Sequence, residues 1–291
     1  MKTRSSSQSS ATLGVVYAVG AAIVFSTAGI IVRRIALPAW DVSFWRSILL
    51  VATILPLILL QWRRVLIDIR SAGSALVLSA FMLAGSFIAF ILALGLAPVA
   101  NVLIVFGATP FVTALLARLF LGEPIHRHTI AAMTAAVVGL GLSVAGSLKA
   151  GALLGMTVSA GVTLCMSFNY VIVRHRRDIG MVPALALAGA ISAIVAFPFA
   201  DPAAATGSDL AWLVALGPGQ LAAGLLLYLA SLKRIPAGRA ALLGLLELVL
   251  GPIWVWAIEG ERPSDLTLAG GAIVIGAAAA NVWLDSRRPT G

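Results

Sequence analysis

One cysteine, three histidines, three tyrosines and 11 acidic residues in 291 positions leave little room for most kinds of protein chemistry. Cys165 alone removes any internal disulfide framework and reads as a small buried hydrophobe. His126, His128 and His175 all fall between apolar runs, so none stands where a buried nucleophile or metal would need it. The chain has no P-loop pattern, which argues against ATP-driven chemistry, and no Cys/His spacing that reads as metal ligation. No catalytic residue, metal or cofactor is expected, and the enzymatic readings fail on inventory. Charge is also scarce, at 11% of residues against about 25% in a soluble domain. The formal net charge of +9 raises nucleic acid as a partner, but the basic residues sit in short clusters between apolar runs. Loop charge that sets membrane topology is the simpler reading, and no nucleic-acid partner is expected.

What the chain does have is apolar length. It is 60% hydrophobic with a mean hydropathy of +1.05, and its runs are about 20 residues long, or roughly 30 Å of helix, the thickness of a hydrocarbon core. Ten spans are predicted, over 13–32, 43–62, 72–94, 100–121, 129–147, 153–173, 181–200, 210–232, 237–258 and 266–284. The first run is too long for a signal-peptide core, and Arg33-Arg34 follows it without a small-residue cleavage site, so it reads as a retained helix. The Ser-rich leader 1–12 is expected to be disordered. The chain is therefore an all-α integral membrane protein whose bilayer lipids are its first partner.

The spans are written twice. A shift of 138 carries Pro98 onto Pro236, Gly122-Glu123 onto Gly260-Glu261 and Val144 onto Val282. Upstream, a shift of 141 carries Leu13-Gly14 onto Leu154-Gly155, Ser26 onto Ser167 and Ile31-Val32-Arg33 onto Ile172-Val173-Arg174. The expected domains are the leader 1–12, a first five-helix repeat over 13–148, a second over 149–285, and a tail 286–291. Five is odd, so the second repeat enters the bilayer from the opposite side, as in secondary transporters. With the N-terminus inside, one face collects 15 basic residues and the other collects Arg33, Arg34, Lys149 and Arg262. That imbalance places both termini in the cytoplasm, in a bacterial-type inner (cell) membrane.

Gly122-Glu123-Pro124 and Gly260-Glu261-Arg262, each closing an apolar helix and opening a Gly/Ala-rich one, resemble the EamA repeat of the drug/metabolite transporter superfamily. Leu245-Leu246-Glu247 followed by Val249 to Trp256, and Arg46 early in the second span, carry the same resemblance. It implies two inverted repeats, with spans one to four and six to nine around a central cavity and spans five and ten as peripheral scaffold. The pattern also looks like that of bacterial exporters of aromatic amino acids. Two positions depart from the family: Leu248 stands where a Pro often follows the Glu of span nine, and Pro110 in the first half follows Thr109.

Glu247 is the one carboxylate deep inside a span, where a charge costs at least about 2.5–3.5 kcal/mol on insertion scales. Ala240, Gly244, Glu247 and Gly251 share one helical face, whose small residues give Glu247 room. It reads either as a proton or substrate-amine site or as a structural tie between helices. Arg46 either holds a carboxylate or snorkels to the interface. Gln220, Gly224, Tyr228 and Ser231 share a face of span eight, with Met82, Ser86, Phe90 and Ala93 as mates on span three. Ser159, Thr163, Met166 and Tyr170, with Asn169 adjacent, form a third face on span six. These faces, together with Asn101, read as the wall of a pocket for an apolar or aromatic solute, or as ordinary helix packing. Pro110 and Pro252 lie inside spans and are candidate hinges. The resulting expectation is a secondary exporter of small organic solutes, aromatic or other apolar amino acids first, as a monomer or weak homodimer. Nucleobases or drug-like metabolites are the alternative cargo, and a non-transport membrane assembly subunit is the alternative class.

Overall fold

The computed structural model describes residues 2–148, 152–176, 182–235 and 237–286. Pro236 and most of the tail therefore lie outside the described residues, as do Lys149 and Arg177. Among the described residues, ten helices are long and apolar enough to cross a membrane: α1 Ala11–Arg33, α2 Ala39–Leu60, α3 Ser74–Leu96, α4 Val99–Leu121, α5 Arg127–Gly146, α6 Leu153–His175, α7 Val182–Phe199, α8 Gly207–Leu232, α9 Arg239–Glu259 and α10 Asp265–Leu284. No strand occurs among the described residues. Large exposed apolar side chains such as Leu59, Val137, Ile194 and Phe199 stud the outside, as a hydrocarbon solvent permits.

Two segments differ from expectation. The leader is helical from Lys2 and runs on into α1 as one helix, Lys2–Ser26. Extending an existing helix costs far less than starting one, so a Ser-rich stretch next to a strong span follows it. The loop expected between the second and third spans is a helix, Trp62–Ala72. Its Arg63, Arg64 and Arg70 hide an amphipathic pattern that is too polar for a span but suited to the membrane interface.

The two halves are inverted copies down to single contacts. Gly14 on α1 lies against Arg234 and Ile235, and a Cβ there would stand 2.7 Å from the Arg234 side chain. Its mate Gly155 on α6 lies against Leu96 and Ala97, the mates of Arg234 and Ile235. The two Gly-Glu corners share one cause: Gly122 and Gly260 both take the left-handed conformation at φ 70°, closing α4 and α9. Any side chain would be strained there. The chain interrupts its helices at equivalent places too. α4 breaks at Gly107–Ala108, and α9 breaks at Leu245, the mate of Gly107. The break in α9 thus falls seven residues before Pro252, which sits inside an unbroken helix, Leu246–Glu259.

α5 packs along α10, with a Cβ on Gly139 only 2.6 Å from the Gly270 carbonyl oxygen. The glycines of these two spans therefore serve intramolecular packing. The other eight spans surround the middle of the molecule. One apolar cluster joins α2, α3, α7 and α8 through Leu50, Leu83, Phe87, Ala188 and Leu221. Another joins α3 and α4 to α9 through Leu94, Val102, Leu103, Leu248 and Val255. Enclosure is unequal: 67% of the α4 window is buried but only 17% of the window of its mate α9.

Candidate functional site

The spans alternate in direction, so Arg33, Leu96 and Glu261 mark one end of the bundle and Glu123, Arg174 and Lys233 the other. At the first end, Arg33 Nε pairs with Glu261 Oε2 at 2.9 Å. The same guanidinium donates to the Leu94 carbonyl at 2.6 Å and the Ala97 carbonyl at 3.1 Å. Glu261 Oε1 in turn accepts the Val99 N–H at 2.7 Å. Arg34 adds an ion pair to Glu259 at 2.7 Å. Below this network Gly29 packs so closely on Val99 and Val255 that a Cβ would meet Val99 at 2.7 Å. This end is shut. The other end repeats the ion pair: Arg174, the mate of Arg33, binds Glu123, the mate of Glu261, at 2.8 Å. There the position equivalent to Gly29 is Tyr170, 42% exposed. A cleft of about 480 Å³, lined by Ala11, Thr12, Val15 and Arg239, opens at this end between α1 and the start of α9.

Two groups of side chains lie between the ends. In the first, Tyr170 of α6 stands within electrostatic reach of Tyr228 of α8 and Glu247 of α9. The break at Leu245, with Leu245 N–H bonded to Leu242 and Leu248 N–H to Leu245, sets Glu247 at the start of the next helical segment. Glu247 is partly buried, and no ion pair engages it among the described residues. In the second group, Arg46 of α2 is only 4% exposed. Its guanidinium carbon lies 5.7 Å from the Phe87 ring centre and 6.0 Å from that of Phe90. Phe90 meets Phe106 of α4 edge-on at 6.4 Å. α8 closes on α2 through Gly217, whose Cβ would stand 3.3 Å from the Arg46 carbonyl oxygen. One turn on, Gln220 is 3% exposed and donates through Nε2 to the Phe25 carbonyl at 3.2 Å. This stretch of α8 is a π-helical segment, Ala215–Ala222, containing Pro218. Segments of that kind often accompany functional sites.

The remaining sequence candidates lie elsewhere in the bundle. Asn169 is buried and accepts a hydrogen bond from Ser79 at 2.6 Å, tying α6 to α3. Met166 packs against the α2–α3–α7–α8 cluster. Ser86 and Asn101 are 2% and 3% exposed. Ser159 and Thr163 do not face open space: they donate to the Val102 and Val105 carbonyls of α4 at 2.8 and 3.1 Å. Pro110 sits at the start of the segment that follows the α4 break, where it marks the interruption. Pro252 marks none. Asp41, five residues before Arg46, accepts the Asp201 backbone N–H, and no ion pair engages Arg46 among the described residues. Phe87 and Phe106 escaped the sequence reading because an apolar ring in an apolar span carries no signal. The Arg33–Glu261 and Arg174–Glu123 pairs were within reach, since both ends of each pair already matched under the two shifts.

A crystal structure of another protein superposes with a TM-score of 0.66 at 24% identity, over 97% of this chain and 99% of that one. At that identity the likeness shows the fold alone. The EamA-like transporter family matches residues 12–145 and again residues 153–283, one repeat each. With ten apolar helices and two inverted halves around polar side chains, the chain belongs to the EamA-like transporter family, membrane transporters of small solutes.

Proposed function

We propose that this protein exports aromatic and other apolar amino acids across a bacterial-type inner membrane by alternating access between its two halves. The observation that carries the reading is the Tyr170–Tyr228–Glu247 group, contributed by α6, α8 and α9 beside the open end. It offers rings for an apolar cargo and one carboxylate for an ammonium group or a proton. Phe90 and Phe106 extend the aromatic wall toward the shut end. A mid-membrane carboxylate is costly unless it faces water, cargo or a partner. Glu247 has room for the first two, which favours proton exchange over a structural tie. The imbalance of basic residues favours the Glu123 end, where the cleft opens, and both termini as the cytoplasmic side.

Uptake of a labelled panel into proteoliposomes, with and without a pH gradient, tests this reading. Phenylalanine, tryptophan and leucine should move and adenine should not. Movement of adenine with no flux of any amino acid would replace the cargo class.

A further inference from the structure

We propose that Arg46 and Gln220 form a head-group subsite that takes the carboxylate and ammonium groups of the cargo, making both groups a requirement for transport. The proposal rests on the amino-acid reading above and assigns the part of that cargo which the apolar walls cannot recognise.

The state of Arg46 is the starting point. It is 96% buried in the middle of an apolar bundle, and no carboxylate pairs with it among the described residues. Its Nε is sealed from solvent without a hydrogen-bond partner. Phe87 and Phe90 approach the guanidinium at 5.7 and 6.0 Å. Such contacts engage the positive charge through the ring faces, but rings accept none of the in-plane N–H bonds a guanidinium can make. A guanidinium that keeps unused in-plane donors matches a planar, two-oxygen acceptor, and a carboxylate fits it in bidentate fashion.

The facing helix supplies the complementary group. Gln220 is fixed by its Nε2 bond to Phe25, which turns its carbonyl oxygen away from that partner. That Oε1 is buried and unpartnered. It lies one turn from Gly217, the residue that presses α8 against the Arg46 backbone. An unused cationic donor and an unused neutral acceptor on adjoining helices match the two ends of an amino-acid head group.

The other half of the molecule fills the equivalent places with apolar side chains. The repeat mates of Arg46, Phe87 and Gln220 are Leu187, Leu225 and Met82. Leu187 and Leu225 both pack into the α2–α3–α7–α8 apolar cluster. The same scaffold position is therefore filled by hydrocarbon in one half and by an unpaired charge in the other. An arginine retained only for packing would have no reason to leave its donors unused.

The test compares phenylalanine with phenylalaninamide, which lacks the carboxylate, and 3-phenylpropionate, which lacks the amine, as competitors of labelled phenylalanine counterflow in proteoliposomes. Wild-type protein should prefer phenylalanine over each analogue at least tenfold. Arg46→Gln should abolish the preference over phenylalaninamide, Arg46→Lys should restore part of it, and Gln220→Met should erode the preference over phenylpropionate. Equal competition by all three compounds in wild-type protein would overturn the subsite while leaving amino-acid transport standing. Absence of phenylalanine counterflow, with flux of adenine, would instead remove the amino-acid reading. The wild-type comparison decides the matter even where a variant fails to fold.

Discussion

Glu247 and Thr109 occupy the same place in the two halves, each just past a helix break, and only one of them carries a charge. Thr109 is settled: its hydroxyl bonds to the Phe106 carbonyl, and its own carbonyl accepts from Ser167 at 3.2 Å. Glu247 has no such tie among the described residues. If it carries the coupling proton, Glu247→Gln should leave counterflow of labelled phenylalanine within about threefold of wild type. The same variant should abolish accumulation driven by a pH gradient, because an amide cannot gain or lose a proton in this range. Accumulation that survives in the variant would return Glu247 to a structural role. The sequence made Glu247 and Arg46 legible because a lone charge in an apolar span is conspicuous whatever surrounds it. It could not separate Asn169 and Ser159 from the cavity wall. A polar residue on a small-residue face looks the same whether its partner is a solute or the carbonyl of a neighbouring helix, and only packing distinguishes them.

The helices differ in how firmly they are joined. α6 is laced to α4 by three side-chain hydrogen bonds, from Ser159, Thr163 and Ser167 to the carbonyls of Val102, Val105 and Thr109. The equivalent seam between α1 and α9 presents Ala18, Ala22 and Ser26 instead. There Ser26 bonds back to the Ile23 carbonyl and receives the Trp254 indole N–H at 3.0 Å. The α6–α4 seam should therefore move as a unit while α1 and α9 slide. Hydrogen bonds between membrane helices contribute about 0.6 kcal/mol on average. Ser159→Ala and Thr163→Val together should lower stability in detergent by about 1–2 kcal/mol, with little change in the phenylalanine KM. Packing in the scaffold pair is tighter still: Gly270→Val must push α5 away from α10 at Gly139, and should reduce folded yield severely. The Gly-Glu corners and span count were readable because they obey local rules of helix ending and hydrophobic length. The helix Trp62–Ala72 was not, since its 11 residues are too few for a span and its arginines make it too polar for one.

At the scale of the whole molecule, the inverted repeat relates its two ends. Arg33 and Glu261 clamp the backbone of the α3–α4 corner, through Leu94, Ala97 and Val99, and that end is shut. Arg174 and Glu123 form the mate of that ion pair, and the mates of Leu94 and Ala97 are Leu232 and Ile235 at the α8–α9 corner. The opposite conformation should bring these together as the Arg33 clamp releases. The Arg33–Glu261 pair is partly exposed, 26% on each side, so breaking it alone is worth about 1 kcal/mol or less. Glu261→Gln should then shift the balance toward the outward-open form by up to about fivefold, read as a larger share of long distances between spin labels at Leu96 and Ile258. The most direct measurement uses spin labels at two residue pairs that the repeat carries onto each other, Leu96 with Ile258 at the Glu261 end and Phe120 with Arg234 at the Glu123 end, in a protein lacking Cys165. Distances measured by pulsed electron resonance, with and without saturating phenylalanine, should change reciprocally, the first pair separating as the second closes. Two distances that stay fixed, or that lengthen together, while the same preparation carries out transport would contradict alternating access between these halves.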